Sequence, residues 1–226
     1  MYFRILRDGD TGAVSYLIAD LDVGECVLVD PRVKDAPLLA ALLAEHALQL
    51  RWVLRTHQHD ADGAATVEAL RALGAPVVQG DAVSGADVPP DGEVLAFGNE
   101  HVRVWHTPGH TAGCLSYLWR DRVFCGGLLA IDACEDQPVP SEPEALWDSV
   151  VQRVFGLPSE TLLFAGHVKQ GRIVSTVLEE RTAHPYFAAR TRDEFLAAIA
   201  KLPRPHKSSR VAGRVGTRRA SAYGAV

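Results

Sequence analysis

The sequence presents the same order of elements twice, strands first and helices second, and this repetition is its strongest constraint on the fold. In the first half, β-rich runs predict strands at residues 3–6, 13–18, 26–29, 52–54 and 76–78, with helices at 35–48 and about 64–73. In the second half, strands are predicted at 94–97, 101–106, 114–119, 123–125 and 161–165, with helices at 143–154, 174–181 and 192–201. Two strand blocks flanked by helices predict an α/β protein with a four-layered αββα sandwich, rather than a doubly wound parallel sheet.

Charge is divided unevenly along the chain and separates a body from a tail. Residues 201–226 contain seven basic residues and no acidic residue, whereas the whole 226-residue chain has a net charge of −5, so residues 1–200 carry −12. We predict one domain over residues 1–202 and a basic, weakly packed tail over 203–226, because Gly, Ser and Arg offer little apolar surface to offset the entropy of ordering. We expect no nucleic-acid partner, since a solvated tail accounts for these basic residues.

Cysteine spacing and hydropathy limit the compartment and the kinds of site. Cys26, Cys114, Cys125 and Cys134 form no CxxC pair, which argues against a disulfide framework and against a zinc ribbon. We expect all four to be reduced, and to be buried as small apolar residues. No apolar run approaches the roughly 18 residues of a membrane span. We therefore expect a cytoplasmic protein with no membrane partner.

Four histidines follow predicted strands and are candidate metal ligands. His57 and His59 follow the strand at 52–54, His110 follows a Pro-Gly turn, and His167 follows the strand at 161–165. Neutral imidazole is the commonest metal ligand, and ligands from several strand ends can converge on one ion. A single histidine is more often a hydrogen-bonded structural residue. The pattern as a whole, and no one residue, predicts the site.

Several segments resemble motifs of the metallo-β-lactamase fold. The sequence THQHDAD at 56–62 is similar to the family motif THxHxDH, and TPGHTAG at 107–113 is similar to TPGHTxG. The segments FAGH at 164–167, VSTVLEERT at 174–182 and GCLSY at 113–117 resemble the persulfide dioxygenase and glyoxalase II branch of that fold. The resemblance covers about residues 10–205 and implies the αββα sandwich.

The sequence departs from that family pattern at several site positions. Ala61 and Asp62 stand where the family has Asp and His, so the second metal position loses two ligands. Gly127 stands in the place of the aspartate that joins two histidines in the iron site of the resembling dioxygenases. Asp132 stands where a basic residue on the substrate side is expected, and Val168 replaces an aspartate.

The resemblance implies one divalent metal ion, with Fe(II) favoured over Zn(II), and a small-molecule thiol or persulfide as partner. The metal ligands are expected among His57, His59, His110, His167 and Asp62. Three functions remain open: oxidation of glutathione persulfide, zinc-dependent hydrolysis of a thioester-like substrate, and a non-catalytic role in binding or regulation. A homodimer is expected by analogy, because the resembling branch often forms one.

One substitution follows from the missing aspartate. Because Gly127 stands in the place of an anionic ligand, Gly127→Asp is expected to raise the affinity for ferrous iron, provided that the surrounding geometry is retained. A left-handed backbone at Gly127 would reduce the gain, because aspartate adopts that conformation less readily than glycine.

Overall fold

The protein is described by a computed structural model that covers residues 1–58, 63–131, 133–134, 136–168 and 172–203.

The first sheet combines antiparallel and parallel strands in chain order. The sheet contains β1 (Tyr2–Arg7), β2 (Val14–Asp20), β3 (Glu25–Val29), β4 (Gln49–Leu54), β5 (Val77–Val78) and β6 (Ala86–Asp87). Strands β1 to β3 pair antiparallel, whereas β3 to β6 pair parallel. The parallel part brings several strand ends to one edge.

The second sheet has a similar plan. It contains β7 (Val94–Phe97), β8 (Glu100–His106), β9 (Leu115–Trp119), β10 (Arg122–Gly126), β11 (Leu162–Ala165) and β12 (Val174–Thr176), again in chain order. All neighbours pair antiparallel except β10 and β11, which are parallel. The carboxyl ends of β10 and β11 therefore lie side by side.

The helices cover the outer faces of the two sheets. The first sheet carries α1 (Ala36–Glu45), which a 3₁₀ turn at Val33–Asp35 precedes, and α2 (Gly63–Arg71). The second sheet carries α3 (Pro143–Asp148), which continues as a π-helical segment (Ser149–Val154), together with α4 (Val177–Ala183) and α5 (Arg192–Ile199). Capping boxes begin α4 and α5, where Thr176 and Thr191 each exchange hydrogen bonds with the glutamate three residues later.

Alternation of buried side chains along the strands accounts for the layers. In β2, Tyr16 and Ile18 join the core between the sheets, whereas Leu17 and Ala19 pack with residues of α1 and α2. In β10, Phe124 faces the same central core, while its neighbours pack against α3, α4 and α5. Successive side chains on a strand point to opposite faces. Both sheets are thus buried on two sides, and the predicted four-layered αββα sandwich is confirmed.

The helix predicted over residues 174–181 is wrong at its start. Val174–Thr176 is strand β12, in which Val174 pairs with Phe164 of β11. The helix begins only at Val177, because the Thr176 hydroxyl accepts a hydrogen bond from the Glu179 backbone N–H at 3.2 Å and so caps it. Strand β6 lies within a segment that the sequence indicates only as turn-rich.

Residues 204–226, which make up almost all of the predicted tail, lie outside the described residues, so the domain boundary at residue 202 remains a prediction. Within the described ranges, every helix is too short or too polar to cross a membrane.

Candidate metal centre

The site lies where the ends of parallel strands from both sheets meet. Strand β3 is followed by Asp30, and β4 is followed by Arg55, Thr56 and His57. In the second sheet, β10 ends at Gly126 and β11 leads into His167. An isolated bridge between Ala13 and His167 joins the two sheets at this point. Carboxyl ends of parallel strands are the usual place for functional groups in α/β folds.

A chain of three short hydrogen bonds fixes His57. The Thr56 backbone N–H and hydroxyl donate to the two carboxylate oxygens of Asp30, each at 2.7 Å, and the same hydroxyl lies 2.7 Å from His57 Nδ1. The hydroxyl has one proton and gives it to Asp30, so Nδ1 of His57 must carry the proton of the remaining bond. His57 Nε2 is then unprotonated and can bind a metal ion. Ligating histidines usually donate their other ring N–H in this way.

Burial controls the charge of Asp30. It raises the pKa of this carboxyl to about 6, and the hydrogen bonds from Thr56 act in the opposite direction. The carboxylate is therefore ionised at neutral pH and acts as the acceptor that the chain of hydrogen bonds requires. Asp30 also has a left-handed backbone, with φ of 48°, which turns the chain at the end of β3.

Cys134 and His167 complete a cluster of donors around His57. Nε2 of His57 lies 2.8 Å from Nε2 of His167. The two imidazoles and the Cys134 thiol each offer a ligand atom, and these atoms all lie within 4.8 Å of one another. Cys134 is fully buried, whereas the two histidines are half-buried. Backbone bonds hold His167 on either side, from Val14 to Gly166 at 2.9 Å and from Val168 to Gly12 at 3.0 Å.

His110 lies beside this cluster and against Gly127. Its ring is buried and stands edge-on to the His57 ring, with the centroids 5.1 Å apart. A Cβ atom added at Gly127 would lie 2.2 Å from Cδ2 of His110. The space of a side chain at residue 127 is therefore filled by the His110 ring. The left-handed residue here is Gly126, with φ of 54°, and not Gly127, so the obstacle to Gly127→Asp is a collision.

A cleft of about 280 Å³ is lined by His57 and His167, two members of the donor cluster. Its charged lining residues are Asp30, Arg32, Arg55 and Asp136. Arg32 is paired with Asp8 at 3.3 Å, and Arg55 donates to Gln79 at 3.0 Å. The cleft thus combines both signs of charge and is open to a small molecule.

The structure brings three of the predicted site residues together: His57, His110 and His167. His59 and Asp62 lie outside the described residues, as do Ala61 and Asp132. Val168, which replaces a polar residue of the family, packs into the core between the sheets. The four cysteines are all buried thiols outside any disulfide, as expected.

Sequence reasoning missed Cys134, Asp30 and Thr56 as site residues. The sequence interpretation treats Cys134 as a small apolar residue, although its position in the loop that carries the family's substrate-side residue is a usable signal. Asp30 and Thr56 follow adjacent buried strands, which is the signal that could have identified them.

The donor set fits a divalent metal ion. Zinc binds imidazole nitrogen at about 2.0 to 2.1 Å and thiolate sulfur at about 2.3 Å, so nitrogens on one tetrahedral ion stand roughly 3.3 Å apart. The Nε2 atoms of His57 and His167 are 2.8 Å apart. They would therefore have to move apart by only roughly half an ångström to reach this spacing. The family's aspartate ligand has no counterpart at Gly127, and within the described residues the cluster contains no carboxylate.

Comparison with known proteins supports one family. No protein-family model matches the chain. Human mitochondrial persulfide dioxygenase ETHE1 is 33% identical over 203 residues, which cover 85% of this chain and 79% of that protein. Hydroxyacylglutathione hydrolase from Methylobacterium sp. (strain 4-46) is 34% identical over 161 residues, which cover 68% of this chain and 62% of the hydrolase.

A solved structure gives the same result. The crystal structure of ETHE1 from Myxococcus xanthus superposes with a TM-score of 0.81 at 34% identity, and the match covers 91% of this chain and 93% of that chain. Similarity at this level over nearly the whole of both chains extends beyond a shared fold. The chain belongs to the persulfide dioxygenase family of metallo-β-lactamase-fold proteins.

Proposed function

We propose that this protein is a metal-dependent oxidoreductase that oxidises a small thiol persulfide, such as glutathione persulfide, in the cleft over His57 and His167. The observation that carries the proposal is the donor cluster at the strand ends of a chain that is 33% identical to a persulfide dioxygenase over 85% of this chain and 79% of that enzyme. Family membership alone gives the fold, whereas the cluster gives a place for the chemistry.

His57, His167 and Cys134 are the described residues that would hold the ion. A bound ferrous ion supplies the redox chemistry that couples oxygen to the persulfide sulfur. Overall, the persulfide, oxygen and water give the thiol, sulfite and two protons. The outer sulfur loses four electrons and oxygen gains them, while the bond between the two sulfurs breaks.

The chain's own residues orient the ligands and shape the site. Asp30 and Thr56 keep Nε2 of His57 unprotonated, and backbone hydrogen bonds of the residues on both sides of His167 hold its main chain at the cleft. The buried His110 ring packs edge-on against His57 and beside Gly127. This arrangement reduces the reorganisation that metal binding requires.

A second candidate is a zinc-dependent hydrolase of a thioester-like substrate. Two observations favour it: the similarity to hydroxyacylglutathione hydrolase, and a donor set of imidazole and thiol that suits zinc. Zinc would lower the pKa of a bound water toward about 7 and make hydroxide available at neutral pH.

Parallel assays separate the two candidates. Protein loaded with ferrous iron without air is tested for oxygen uptake with glutathione persulfide, and zinc-loaded protein is tested for hydrolysis of a glutathione thioester. We expect oxygen uptake and sulfite formation that His57→Ala abolishes. Oxygen uptake no greater than that of His57→Ala would contradict the oxidoreductase proposal, and thioester hydrolysis would then support the hydrolase. The absence of both activities would support a non-catalytic role.

A further inference from the structure

We infer that Cys134 is a metal ligand in this protein, so the centre is built from two imidazoles, of His57 and His167, and one thiolate. The inference rests on the proposed function only in placing the ion in the same cleft, and it names a ligand outside the set of two histidines and one aspartate that the resemblance implies. It also names the class of metal: a divalent ion that accepts sulfur and nitrogen donors, such as ferrous iron or zinc.

The surroundings of Cys134 distinguish it from the other three cysteines. Cys26 packs in the core between the first sheet and α1 and α2. Cys114 accepts a hydrogen bond from the Thr111 backbone N–H at 3.2 Å, and Cys125 donates to the Phe164 carbonyl at 3.3 Å. All four cysteines are described, and Cys134 is the one whose sulfur lies within 4.8 Å of two imidazole nitrogens.

The backbone explains how a thiol reaches the site from residue 134. Successive tight turns follow β10, with hydrogen bonds from Leu128 to Cys125 at 3.0 Å, Ala130 to Gly127 at 3.2 Å and Ala133 to Ala130 at 2.9 Å. These turns keep the chain close to the end of β10. The loop after β10 has no carboxylate at Gly127, but it carries the Cys134 thiol further along.

The packing at Gly127 leaves no space for a ligating side chain at residue 127. The His110 ring lies where a side chain at 127 would begin, with 2.2 Å between its Cδ2 and an added Cβ atom. A ligand from residue 127 would have to displace a buried ring, which a well-packed interior resists. The Cys134 sulfur, by contrast, already lies within 4.8 Å of both imidazole nitrogens.

Charge and proton balance agree with a thiolate ligand. Loss of the aspartate removes one negative charge from the site, and a bound thiolate restores it. The thiol gives up its proton when the metal–sulfur bond forms, so each ion bound releases one proton from Cys134. The histidines bind through neutral nitrogens and release none when they start neutral.

Cobalt substitution tests the inference without any activity assay. Metal-free protein is titrated with Co(II) and the near-ultraviolet absorption from thiolate to cobalt is recorded for wild type, Cys134→Ser and Cys26→Ala. Cys26→Ala is the matched control, because Cys26 is equally buried but lies in the core against α1 and α2. We expect the thiolate band in wild type and Cys26→Ala, its loss in Cys134→Ser, and binding at least about tenfold weaker in Cys134→Ser.

A second measurement keeps the inference testable if Cys134→Ser fails to fold. Proton release on zinc binding, in weakly buffered wild-type protein, should include one proton from the thiol. Cobalt binding by wild type with no thiolate band, or zinc binding with no proton release, would overturn the inference.

Failure of the inference can be told apart from failure of the proposed function. A thiolate band together with no persulfide-dependent oxygen uptake would keep Cys134 as a ligand and reject the oxidoreductase. Oxygen uptake without a thiolate band would support the oxidoreductase and reject Cys134 as a ligand.

Discussion

The two sheets contribute to the metal centre in different ways. The first sheet presents His57 through Asp30 and Thr56, and each bond of that chain is 2.7 Å long. The second sheet presents Cys134 from a loop after β10, where Gly127 has replaced the family's aspartate. A ligand held by a hydrogen-bonded chain between two strand ends cannot change without disturbing both strands. A ligand on a loop can be exchanged for another donor a few residues away.

Removal of His57 should weaken metal binding more than any other change, because its Nε2 lies close to the donor atoms that the second sheet supplies. We expect His57→Ala to weaken binding of zinc by more than about 100-fold, beyond the usual effect of losing a supporting residue. The exposed His101 of β8 provides the control His101→Ala. Metal content after equilibrium dialysis measures the change, and equal content in the two variants would show that His57 holds no ion.

Gly126→Ala tests how tightly the end of β10 packs against Thr56 of the first sheet. Its φ is 54°, and an added Cβ would lie 2.3 Å from the Thr56 hydroxyl oxygen. Left-handed strain and collision together should lower the free energy of unfolding by about 3 kcal/mol. Gly74→Ala is the control, because Gly74 has φ of 99° and nothing within 4 Å of an added Cβ, so only about 1 kcal/mol is expected there. Urea unfolding with equal losses would mean that the contact is not tight.

Asp30→Asn tests the direction of the hydrogen-bonded chain in the first sheet. An asparagine amide would donate to the Thr56 hydroxyl, whose proton would then point to His57 Nδ1 and leave the proton of the ring on Nε2. We expect metal binding to weaken by about 10 to 100-fold although the shape is retained.

Nitrogen-15 NMR of the metal-free protein reads the His57 tautomer directly. The wild type should show a protonated Nδ1 and Asp30→Asn a protonated Nε2, with the exposed substitution Asp87→Asn resembling the wild type. An unchanged tautomer in Asp30→Asn would contradict the proposed role of Asp30.

Thr56→Val should have the smallest effect of the four. Valine keeps the shape of threonine but removes the hydroxyl that lies between Asp30 and His57. The ring loses its orienting bond, and we expect about tenfold weaker metal binding. Thr56→Ser keeps the hydroxyl and should bind as wild type does. Isothermal titration with zinc compares the pair, and equal weakening in both would indicate a packing effect.

Much of the fold could be predicted from local pattern. The strands around Trp52-Val53-Leu54 and Val123-Phe124-Cys125 are short apolar runs bounded by turn residues, and both are found as strands. Val174–Thr176 could not be read correctly, because the residues after it favour a helix and its pairing with β11 is a tertiary contact. The capping pair Thr176 and Glu179 was the local signal for the true helix start.

The site was predicted only in part, for a similar reason. His57, His110 and His167 lie within motifs that resemble the family, so their convergence follows from the resemblance and the strand ends. Cys134 ends the run IDAC at 131–134, which resembles an Ile-Arg-Gly-Cys run of the family, but that resemblance assigns the cysteine no ligand role. Its approach to the imidazoles depends on the turns after β10. The collision at Gly127 depends on the placement of the His110 ring, which no spacing in the sequence specifies.

X-ray absorption spectroscopy of the zinc-reconstituted protein tests the central claim most directly, because it measures the atoms bound to the ion. A centre built from His57, His167 and Cys134 predicts one sulfur at about 2.3 Å together with imidazole nitrogens at about 2.0 to 2.1 Å. If only nitrogen and oxygen atoms are bound to the zinc ion, with no sulfur, the account is contradicted and Cys134 is not a ligand.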